Sequence, residues 1–282
     1  MSNHDKVREQ VSKDYARAVS EVSGGCCGPA KPSNPAAVLA GYSDEELSAL
    51  PADAVQSSFG CGNPVAFSGV TKGETVLDLG SGAGIDLLLA ADRVGPEGHV
   101  IGVDMTDAMI ERARANVTAA GHTNVELRKG IIEDLPVESD TIDRVFSNCV
   151  VNLSPEKGRV FAEIARVLRA GGQISISDIV VEELPQWVRD STHLHSACVA
   201  GAISESEYVA GLKAAGLEDV QVVDRMVYDT ASLAALIGSE ISGQEVSCCG
   251  VSSVDIDKDA VRRLSEEVQG KVWSARFVAR KP

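Results

Sequence analysis

Between residues 71 and 178 the chain alternates short apolar runs with longer segments in which apolar residues recur every three or four positions. The short runs predict buried strands at 75–79, 99–103, 125–128, 142–147 and 173–177. The longer segments predict helices at 85–94, 107–120 and 155–169, the last ended by Ala170-Gly171-Gly172. Alternation of this kind is typical of parallel βαβ units, so we predict an α/β fold with a doubly wound, Rossmann-like sheet.

The regions on either side of this core are less regular. The first 70 residues predict a helix at 6–21, a loop rich in glycine and proline at 23–35, and a short helix at 44–50. Beyond residue 180 we predict helices at 183–200, 205–215, 230–237 and 257–268, and strands at 220–227 and 272–278. The sequence therefore predicts an N-terminal helical cap (1–70), the core (71–180) and a C-terminal α+β substrate region (181–282).

Charge and cysteine content limit the partners and the compartment. The chain has 26 basic and 41 acidic residues, a formal net charge of −15, which argues against nucleic acid and anionic membranes but not against a neutral ligand. The first 20 residues are polar and predict no signal peptide, and no apolar run is long enough to predict a membrane span. Seven cysteines without an export signal favour the reducing cytoplasm, where thiols persist.

A glycine-rich turn, Asp78-Leu79-Gly80-Ser81-Gly82-Ala83-Gly84, follows the first predicted strand. Glycines permit a sharp turn and let a ligand approach the backbone, and the following helix offers free N–H groups. Position 85 is isoleucine, so the spacing departs from the dinucleotide motif G-x-G-x-x-G. The turn instead resembles the first motif of the class I S-adenosylmethionine (SAM) methyltransferases.

Two acids fall in register with this turn. Asp104 ends the second predicted strand, where a carboxylate can accept hydrogen bonds from ribose hydroxyls. Ile132 and Glu133 follow the third strand, where this class of enzymes contacts adenine. A tight turn without a ligand is the simpler interpretation of a lone glycine motif. Signals at the ends of three successive strands favour a cofactor site instead.

Three of the seven cysteines stand alone and four form adjacent pairs. Cys149 follows the fourth predicted strand, at the sheet edge where α/β folds bind ligands. Cys61 lies in a glycine-rich loop and Cys198 among small residues, and each taken alone is more simply a structural residue. The pairs Cys26-Cys27 and Cys248-Cys249 are too close for an ordinary internal disulfide, so they are either incidental surface residues or vicinal thiols for soft ions and thiol exchange.

Together these motifs resemble the arsenite SAM methyltransferases. The matching segments follow the order of that family's motifs: 60–62, 78–82, 102–106, 130–133, 147–153 and 198–202. Many methyltransferases share the glycine turn, whereas Ser147-Asn148-Cys149-Val150 and the spacing of the three lone cysteines are more specific to this family. The resemblance runs from about residue 3 to residue 240 and includes the last strand.

The resemblance implies a class I SAM methyltransferase fold and methylation of trivalent arsenic, a detoxification reaction. It implies that Cys61, Cys149 and Cys198 bind the arsenic, that Cys149 and Cys198 stay bound through later intermediates, and that Cys61 also takes part in disulfide exchange. The paired cysteines are candidates for accessory thiols on the basis of their own chemistry. Residues near the sheet edge are expected to bind SAM: Phe59, Asp78, Gly80, Ser81, Gly82, Gly84, Asp104, Met105, Ile132, Glu133 and Asn148. We expect a monomer that takes arsenite or its thiol conjugates, with a glutathione or thioredoxin-type reductant.

Two segments depart from the family pattern. Phe59 stands where tyrosine usually precedes Gly-Cys-Gly, so stacking is retained while a hydroxyl contact to the cofactor is lost. His195-Ser196-Ala197 replaces a Trp-Gly-Glu segment of some relatives, which leaves the surroundings of Cys198 open. His193 and His195 point to different sides of a predicted helix, so we interpret them as non-ligands.

Trivalent arsenic bound by thiolates keeps a lone pair and needs no general base, and the sequence shows no obvious base near Cys149. Nearby thiols can return oxidised arsenic to the trivalent state by forming a disulfide, and Cys61 with Cys26 or Cys27 is the candidate pair.

Two other functions stay open at this point. A methyltransferase for a quinone or another small organic acceptor would share segments 130–135 and 163–172, but it would need an aromatic or basic pocket, and the chain is 4% aromatic. A thiol-based metalloid binder without activity is less consistent with an intact glycine turn, Asp104 and Glu133.

Overall fold

A seven-stranded sheet organises the part of the chain that the structure describes. The computed structural model describes residues 3–21, 37–38, 40–58, 60–66, 68–184, 198–228 and 270–282. The strands are β1 (Thr75–Leu79), β2 (His99–Asp104), β3 (Val125–Lys129), β4 (Ile142–Asn148), β5 (Leu168–Val181), β6 (Glu218–Val227) and β7 (Val272–Arg280). The helices are α1 (Asn3–Glu21), α2 (Asp44–Ala49), α3 (Ala52–Gln56), α4 (Ile85–Val94), α5 (Asp107–Ala120), α6 (Lys157–Val167) and α7 (Glu205–Ala214).

The strand order is β3-β2-β1-β4-β5-β7-β6. Strands β1 to β5 pair in parallel, and β7 runs antiparallel to both of its neighbours, β5 and β6. Strand β1 lies between β2 and β4, so the chain proceeds to one side of β1 and then to the other. A crevice opens at such a switch point, beyond the carboxyl ends of the strands. The predicted Rossmann-like doubly wound sheet is confirmed.

Two apolar layers cover the sheet because successive strand residues point to opposite faces. Val76 of β1 belongs to the cluster that includes Leu47 of α2 and Leu88 of α4. Its neighbour Leu77 belongs to the cluster that includes Ile164 of α6 and Leu212 of α7. Burial of both faces explains why the core strands are nearly continuous apolar runs rather than alternating ones.

The boundary between α6 and β5 differs from the prediction. The glycines at 171 and 172 predict a helix end followed by a loop, but α6 ends at Val167 and β5 begins at Leu168. The chain's last residues pair with this segment: Gly171 N donates to Lys281 O at 3.0 Å, and Lys281 N donates to Gly172 O at 2.8 Å. Pairing with residues at least 109 positions away in sequence therefore overrides the tendency of the two glycines to form a loop.

Other predictions differ in smaller ways or lie outside the described residues. Helix α3 was not predicted from the sequence. The predicted helix 183–200 lies mostly outside the described residues, and its described ends, 183–184 and 198–200, are not helical. The predicted helices 230–237 and 257–268 lie outside them entirely. The proposed boundaries after residues 70 and 180 stay predictions. In the described part of the chain, every helix is too short or too polar to cross a bilayer.

Aromatic stacking fastens α7 to the sheet. The ring of Tyr208 stacks on Phe277 of β7 with centroids 4.1 Å apart, and Phe161 of α6 meets its edge at 5.1 Å. All three rings are buried. The hydroxyl of Tyr208 donates to Asp178 Oδ2 at 3.3 Å, so the ring's polar end is satisfied inside the core.

We expect Tyr208→Ala to lower the free energy of unfolding by about 3–5 kcal/mol, because it removes a large ring from a packed core and leaves a cavity. Urea denaturation followed by circular dichroism measures this change. Val223→Ala on the exposed edge strand β6 is the control and should change stability by less than about 0.5 kcal/mol. Equal losses for the two variants would show that the aromatic stack is not a major source of stability.

Candidate active site

A cleft of about 930 Å³, including the open space at its mouth, lies beyond the carboxyl ends of β1, β2 and β4. This is the position predicted by the switch in strand order. Its lining includes nine of the eleven residues predicted to bind the cofactor: Asp78, Gly80, Ser81, Gly82, Asp104, Met105, Ile132, Glu133 and Asn148. Gly84 adjoins the cleft as the residue before α4, and Phe59 lies outside the described residues.

The glycine turn forms the floor of the cleft. Gly80 N and Ser81 N both donate to Val103 O of β2, at 2.8 and 3.0 Å, which draws the turn over the neighbouring strand. Gly80 has a φ of 65°, and a Cβ at this position would collide with the side chain of Val150. Only glycine therefore fits between the turn and the end of β4 without displacing Val150.

Three carboxyl groups, two of them buried and that of Asp104 half-buried, give the cleft a negative character. Burial raises the pKa of Asp78, and the neighbouring Asp86 and Asp104 raise it further. Burial raises the pKa of Asp86 to about 6, although hydrogen bonds from Tyr42 and Asn148 oppose the change. The pKa of Asp104 is also raised by burial, against hydrogen bonds from Thr106 and Gly82. A cationic ligand is favoured here because it would relieve the repulsion between these carboxylates.

Asp104 is held in place by the backbone around the cleft. Its Oδ2 accepts from Gly82 N at 3.0 Å, and its Oδ1 accepts from Thr106 N at 2.8 Å. These two bonds connect the end of β2 to the glycine turn and to the start of α5. The carboxylate therefore keeps a fixed position, with lone pairs remaining for a ligand.

Helix α1 lies against the cleft, a contact that the sequence did not predict. Arg8 Nε donates to Glu133 at 3.1 Å, and a second nitrogen of Arg8 pairs with Glu156. Ser154 Oγ donates to the same oxygen of Glu133 at 2.6 Å. The carboxylate predicted to contact adenine thus already has two protein partners. The residues in contact are 125 positions apart, so no local pattern could reveal the pairing.

The three lone cysteines come together at one end of the cleft. Cys61 and Cys149 form a disulfide with their Cα atoms 5.7 Å apart, and the thiol of Cys198 donates to Cys149 O at 2.8 Å. All three are buried, and Cys149 also lines the cleft. The sequence-based candidates for supplying electrons together with Cys61 are Cys26 and Cys27; both lie outside the described residues, so that pairing stays a prediction.

A buried acid adjoins the disulfide. A carboxylate oxygen of Asp178 and the Sγ atoms of Cys61 and Cys149 lie within 4.8 Å of one another. Burial raises the pKa of Asp178 to about 7, while Lys157 and hydrogen bonds from Ile179 and Asn152 act in the opposite direction. Asp178 was not singled out from the sequence, although it directly follows the predicted strand 173–177; in the structure it lies inside the longer strand β5.

Several other cleft residues were not predicted from the sequence, among them Ser57, Val11, Tyr15 and Met109, whereas Ser81 was. Ser57 and Ser81 each have a buried hydroxyl oxygen without a hydrogen-bond partner in the described structure. Val11 and Tyr15 of α1 and Met109 of α5 add apolar surface. The predicted accessory thiols Cys26, Cys27, Cys248 and Cys249 and the histidines at 193 and 195 lie outside the described residues.

This chain is similar in sequence and in structure to proteins of known families. A family model described as a methyltransferase domain matches residues 70–219, more than half of the chain. The crystal structure of an arsenic(III) S-adenosylmethionine methyltransferase from Chlamydomonas reinhardtii is 30% identical, with a TM-score of 0.61, covering 90% of this chain and 75% of that one. The chain therefore belongs to the SAM-dependent methyltransferases. Within that class it belongs to the arsenite methyltransferase family.

Two curated relatives differ in how much they share with this chain. An arsenite methyltransferase from Halobacterium salinarum is 47% identical over 235 residues, which are 78% of this chain and 60% of that protein. A demethylmenaquinone methyltransferase from Listeria monocytogenes is 36% identical over 118 residues, which are 42% of this chain and 50% of that protein. The chain thus spans less than two thirds of either relative.

We expect Asp178→Asn to weaken the pH dependence of stability. The folded protein retains the Asp178 proton up to about pH 7, whereas an unfolded aspartate releases it near pH 4. Raising the pH between these values therefore lowers the free energy of unfolding, by at most about 1.4 kcal/mol per pH unit for one proton. Asparagine cannot titrate, so the variant lacks this contribution.

Urea denaturation at several pH values between 4 and 8 measures the difference in slope. Asp140→Asn, at a carboxylate with a side chain 66% exposed, is the matched control and should follow the wild type. Parallel curves for Asp178→Asn and the wild type would show that Asp178 is ionised throughout this range.

Proposed function

We propose that this chain transfers methyl groups from SAM to trivalent arsenic held by Cys61, Cys149 and Cys198, as a cytoplasmic detoxification reaction. The observation that carries the proposal is that Cys149 belongs to two sites at once. It lines the cleft beside the glycine turn, and it is joined to the cysteine cluster through Cys61 and Cys198. Methyl donor and thiol-bound acceptor would meet at this residue.

The cleft fits SAM in its charge and in its unused polar groups. Asp78, Asp86 and Asp104 favour a ligand with positive charge, and the buried hydroxyls of Ser57 and Ser81 offer hydrogen bonds that no described residue takes. Ile132 and Met109 supply apolar walls for a base. When bound, SAM supplies a methyl group on a positively charged sulfur, which then leaves as a neutral thioether.

The cysteine cluster fits trivalent arsenic. Thiolates are soft ligands that prefer a soft centre over hard oxyanions. Arsenic bound through thiolates keeps its lone pair, so it can act as the nucleophile without losing a proton. The protein must then mainly place the arsenic in line with the methyl group, and such positioning lowers the barrier without an acid or a base.

The disulfide matches the electron balance of the reaction. Each methyl transfer formally raises arsenic from the trivalent to the pentavalent state, and its return requires two electrons. Two thiolates release two electrons when they close into a disulfide, which is the state that Cys61 and Cys149 have in this structure. Because Cys149 holds arsenic until the last transfer, this disulfide would serve the last reduction: the Cys61 thiolate attacks the Cys149 sulfur, and the electron pair of the arsenic–sulfur bond stays on the departing arsenic. An external thiol of the glutathione or thioredoxin type would reopen the bond by exchange. The accessory thiols at 26, 27, 248 and 249 are candidates for passing these electrons on.

A quinone-type acceptor is less well supported. The menaquinone-related enzyme matches 42% of this chain, against 78% for the arsenite methyltransferase. A quinone methyltransferase also gives no reason for three buried cysteines beside the cleft. A binder without activity would not need the acidic cleft and its glycine turn.

Incubation of the protein with SAM, arsenite and glutathione, followed by separation of the arsenic species, tests the proposal. We expect methylated arsenicals together with S-adenosylhomocysteine. Formation of neither product, with SAM binding demonstrated, would refute arsenic methylation.

We expect Cys149→Ser and Cys198→Ser each to abolish arsenic methylation while SAM affinity stays within about threefold of wild type. A serine hydroxyl is a hard, weakly acidic donor and does not replace a thiolate on arsenic. Calorimetry with S-adenosylhomocysteine and a methylation assay measure the two properties. Asp104→Ala is the reciprocal control, since it should weaken cofactor binding and leave arsenite binding intact. Near-normal methylation by either serine variant would remove that cysteine from the arsenic site.

We expect Cys61→Ser to slow the first methylation more than the second. The resemblance assigns Cys61 to the initial ligation and to disulfide exchange, whereas Cys149 and Cys198 stay bound through the later intermediate. Separate assays starting from arsenite and from monomethylarsenite measure the two steps. Equal slowing of both steps would contradict this role for Cys61.

A further inference from the structure

We propose that the side chain of Asn148 is a positioning residue that holds Cys61 against Cys149 and thereby stabilises their disulfide. The inference deepens the proposed function, because this disulfide is the one assigned there to arsenic reduction. It concerns the protein's own cysteines, however, and its test requires neither arsenite nor cofactor.

Asn148 grips the Cys61 loop through its entire amide group. Its Oδ1 accepts from Cys61 N at 3.0 Å and from Gly62 N at 3.1 Å. Its Nδ2 donates to Gly62 O at 2.6 Å. One side chain at the end of β4 thus makes three hydrogen bonds to two consecutive residues of a loop that lies 86 positions away in sequence.

Tyr42 and Asp86, behind the Asn148 side chain, fix the orientation of this amide. Nδ2 of Asn148 also lies 3.0 Å from the hydroxyl of Tyr42 and 3.1 Å from Oδ2 of Asp86. The Tyr42 hydroxyl donates to Asp86 Oδ1 at 2.8 Å. Because Asp86 Oδ2 and Gly62 O are both acceptors and lie beside the same amide atom, that atom is the NH2 nitrogen, and Oδ1 is left to accept from the loop N–H groups. Tyr42 and Asp86 are both buried.

The loop is shaped to lie on this amide. A Cβ at Gly60 would collide with the Asn148 side chain, and a Cβ at Gly62 would collide with Ser177 of β5. Cys61 O in turn accepts from Ser274 of β7 at 3.0 Å. The glycines on either side of Cys61 therefore allow the close approach that brings its sulfur to Cys149.

The two halves of the disulfide are held by different elements. Cys149 N donates to Ser177 O at 2.8 Å, so its backbone belongs to the sheet edge and does not depend on the loop. Cys61 is held at its N–H by Asn148 and at its carbonyl by Ser274. After reduction, the bonds to Asn148 keep the Cys61 thiol near Cys149. A high effective concentration of one thiol at the other favours the closed disulfide.

The test is the equilibrium of the Cys61–Cys149 disulfide with oxidised and reduced dithiothreitol, read by alkylation and mass spectrometry. We expect Asn148→Ala to shift this equilibrium at least tenfold toward the dithiol, a potential about 30 mV less negative. Asn63→Ala is the matched control. Asn63 is a buried asparagine of the same loop, but its side chain bonds to Glu46 and Ala66 rather than to Cys61. The disulfide equilibrium of this variant should stay within twofold of wild type.

An exchange of side chains separates positioning from simple packing. Asn148→Asp keeps the acceptors for the loop but removes the donors and faces Asp86, so we expect a shift as large as that of Asn148→Ala. Combining it with Asp86→Asn restores a donor opposite the new carboxylate and should bring the equilibrium back to within threefold of wild type. A role in packing alone would give no recovery.

An equilibrium for Asn148→Ala within twofold of wild type would overturn the proposal, as would an equal shift for Asn63→Ala. If Asn148→Ala does not fold, Tyr42→Phe provides the measurement, because it removes only the hydroxyl that links Asn148 to Asp86. A shift of about threefold toward the dithiol supports the proposal, and an unchanged equilibrium refutes it. A protein that fails to methylate arsenite can still pass this test, so the two ideas can fail separately.

Discussion

The close approach of the Gly60-Cys61-Gly62 loop to the end of β4 is the constraint on which the site depends. It places Cys61, which precedes the core in sequence, at the carboxyl edge of the sheet. Cys149, the residue after Asn148, lies at the same edge. The approach is possible because neither glycine presents a Cβ. It is stable because the half-buried amide of Asn148 satisfies the loop's N–H groups, which would otherwise be costly to bury. Without this contact, Cys61 would not be held beside Cys149, which lines the cleft.

Electrostatics divide the region into two environments. On the cofactor side, three carboxyl groups lie near one another, and removal from solvent raises the pKa of each. On the cysteine side, Asp178 lies beside the sulfurs with a pKa of about 7, near a Lys157 whose pKa is lowered by burial. The cofactor side therefore favours a cationic ligand, whereas the cysteine side carries little net charge. This division corresponds to a charged methyl donor and a neutral acceptor.

The sequence predicts the parts of the site that arise from local pattern. The glycine turn, Asp104 and Glu133 are recognisable because each follows an apolar strand, and parallel strands place their carboxyl ends at one edge. The contacts of Arg8 with Glu133 and of Asn148 with Cys61 are not recognisable, because they join residues 125 and 87 positions apart. Asp178 directly follows the predicted strand 173–177, so its place near the sheet edge could have been recognised. Its proximity to the two sulfurs could not, because Cys61 lies far from it in sequence.

The disulfide partner shows how the family resemblance and the geometry contribute differently. The resemblance assigns Cys61 to disulfide exchange, and the sequence proposes Cys26 or Cys27 as its partner in supplying electrons. The structure adds Cys149 as a partner, because the end of β4 places it beside Cys61. The place of Cys149 beside Cys61 also accounts for its unusual backbone conformation. Cys149 and Cys198 both have left-handed conformations, with φ values of 60° and 56°, which cost non-glycine residues roughly 1–2 kcal/mol each.

Such strain persists only where surrounding contacts enforce it. Three contacts hold Cys149. Its N–H donates to Ser177 O, its carbonyl oxygen accepts from the Cys198 thiol, and its sulfur is bonded to that of Cys61. An extended residue at 149 would continue β4 along the sheet and carry the sulfur away from Cys61. The left-handed turn instead keeps Cys149 on the wall of the cleft and in the cysteine cluster. The backbone conformation of this one residue therefore allows the cleft and the cysteine cluster, the proposed sites of cofactor and arsenic, to share Cys149.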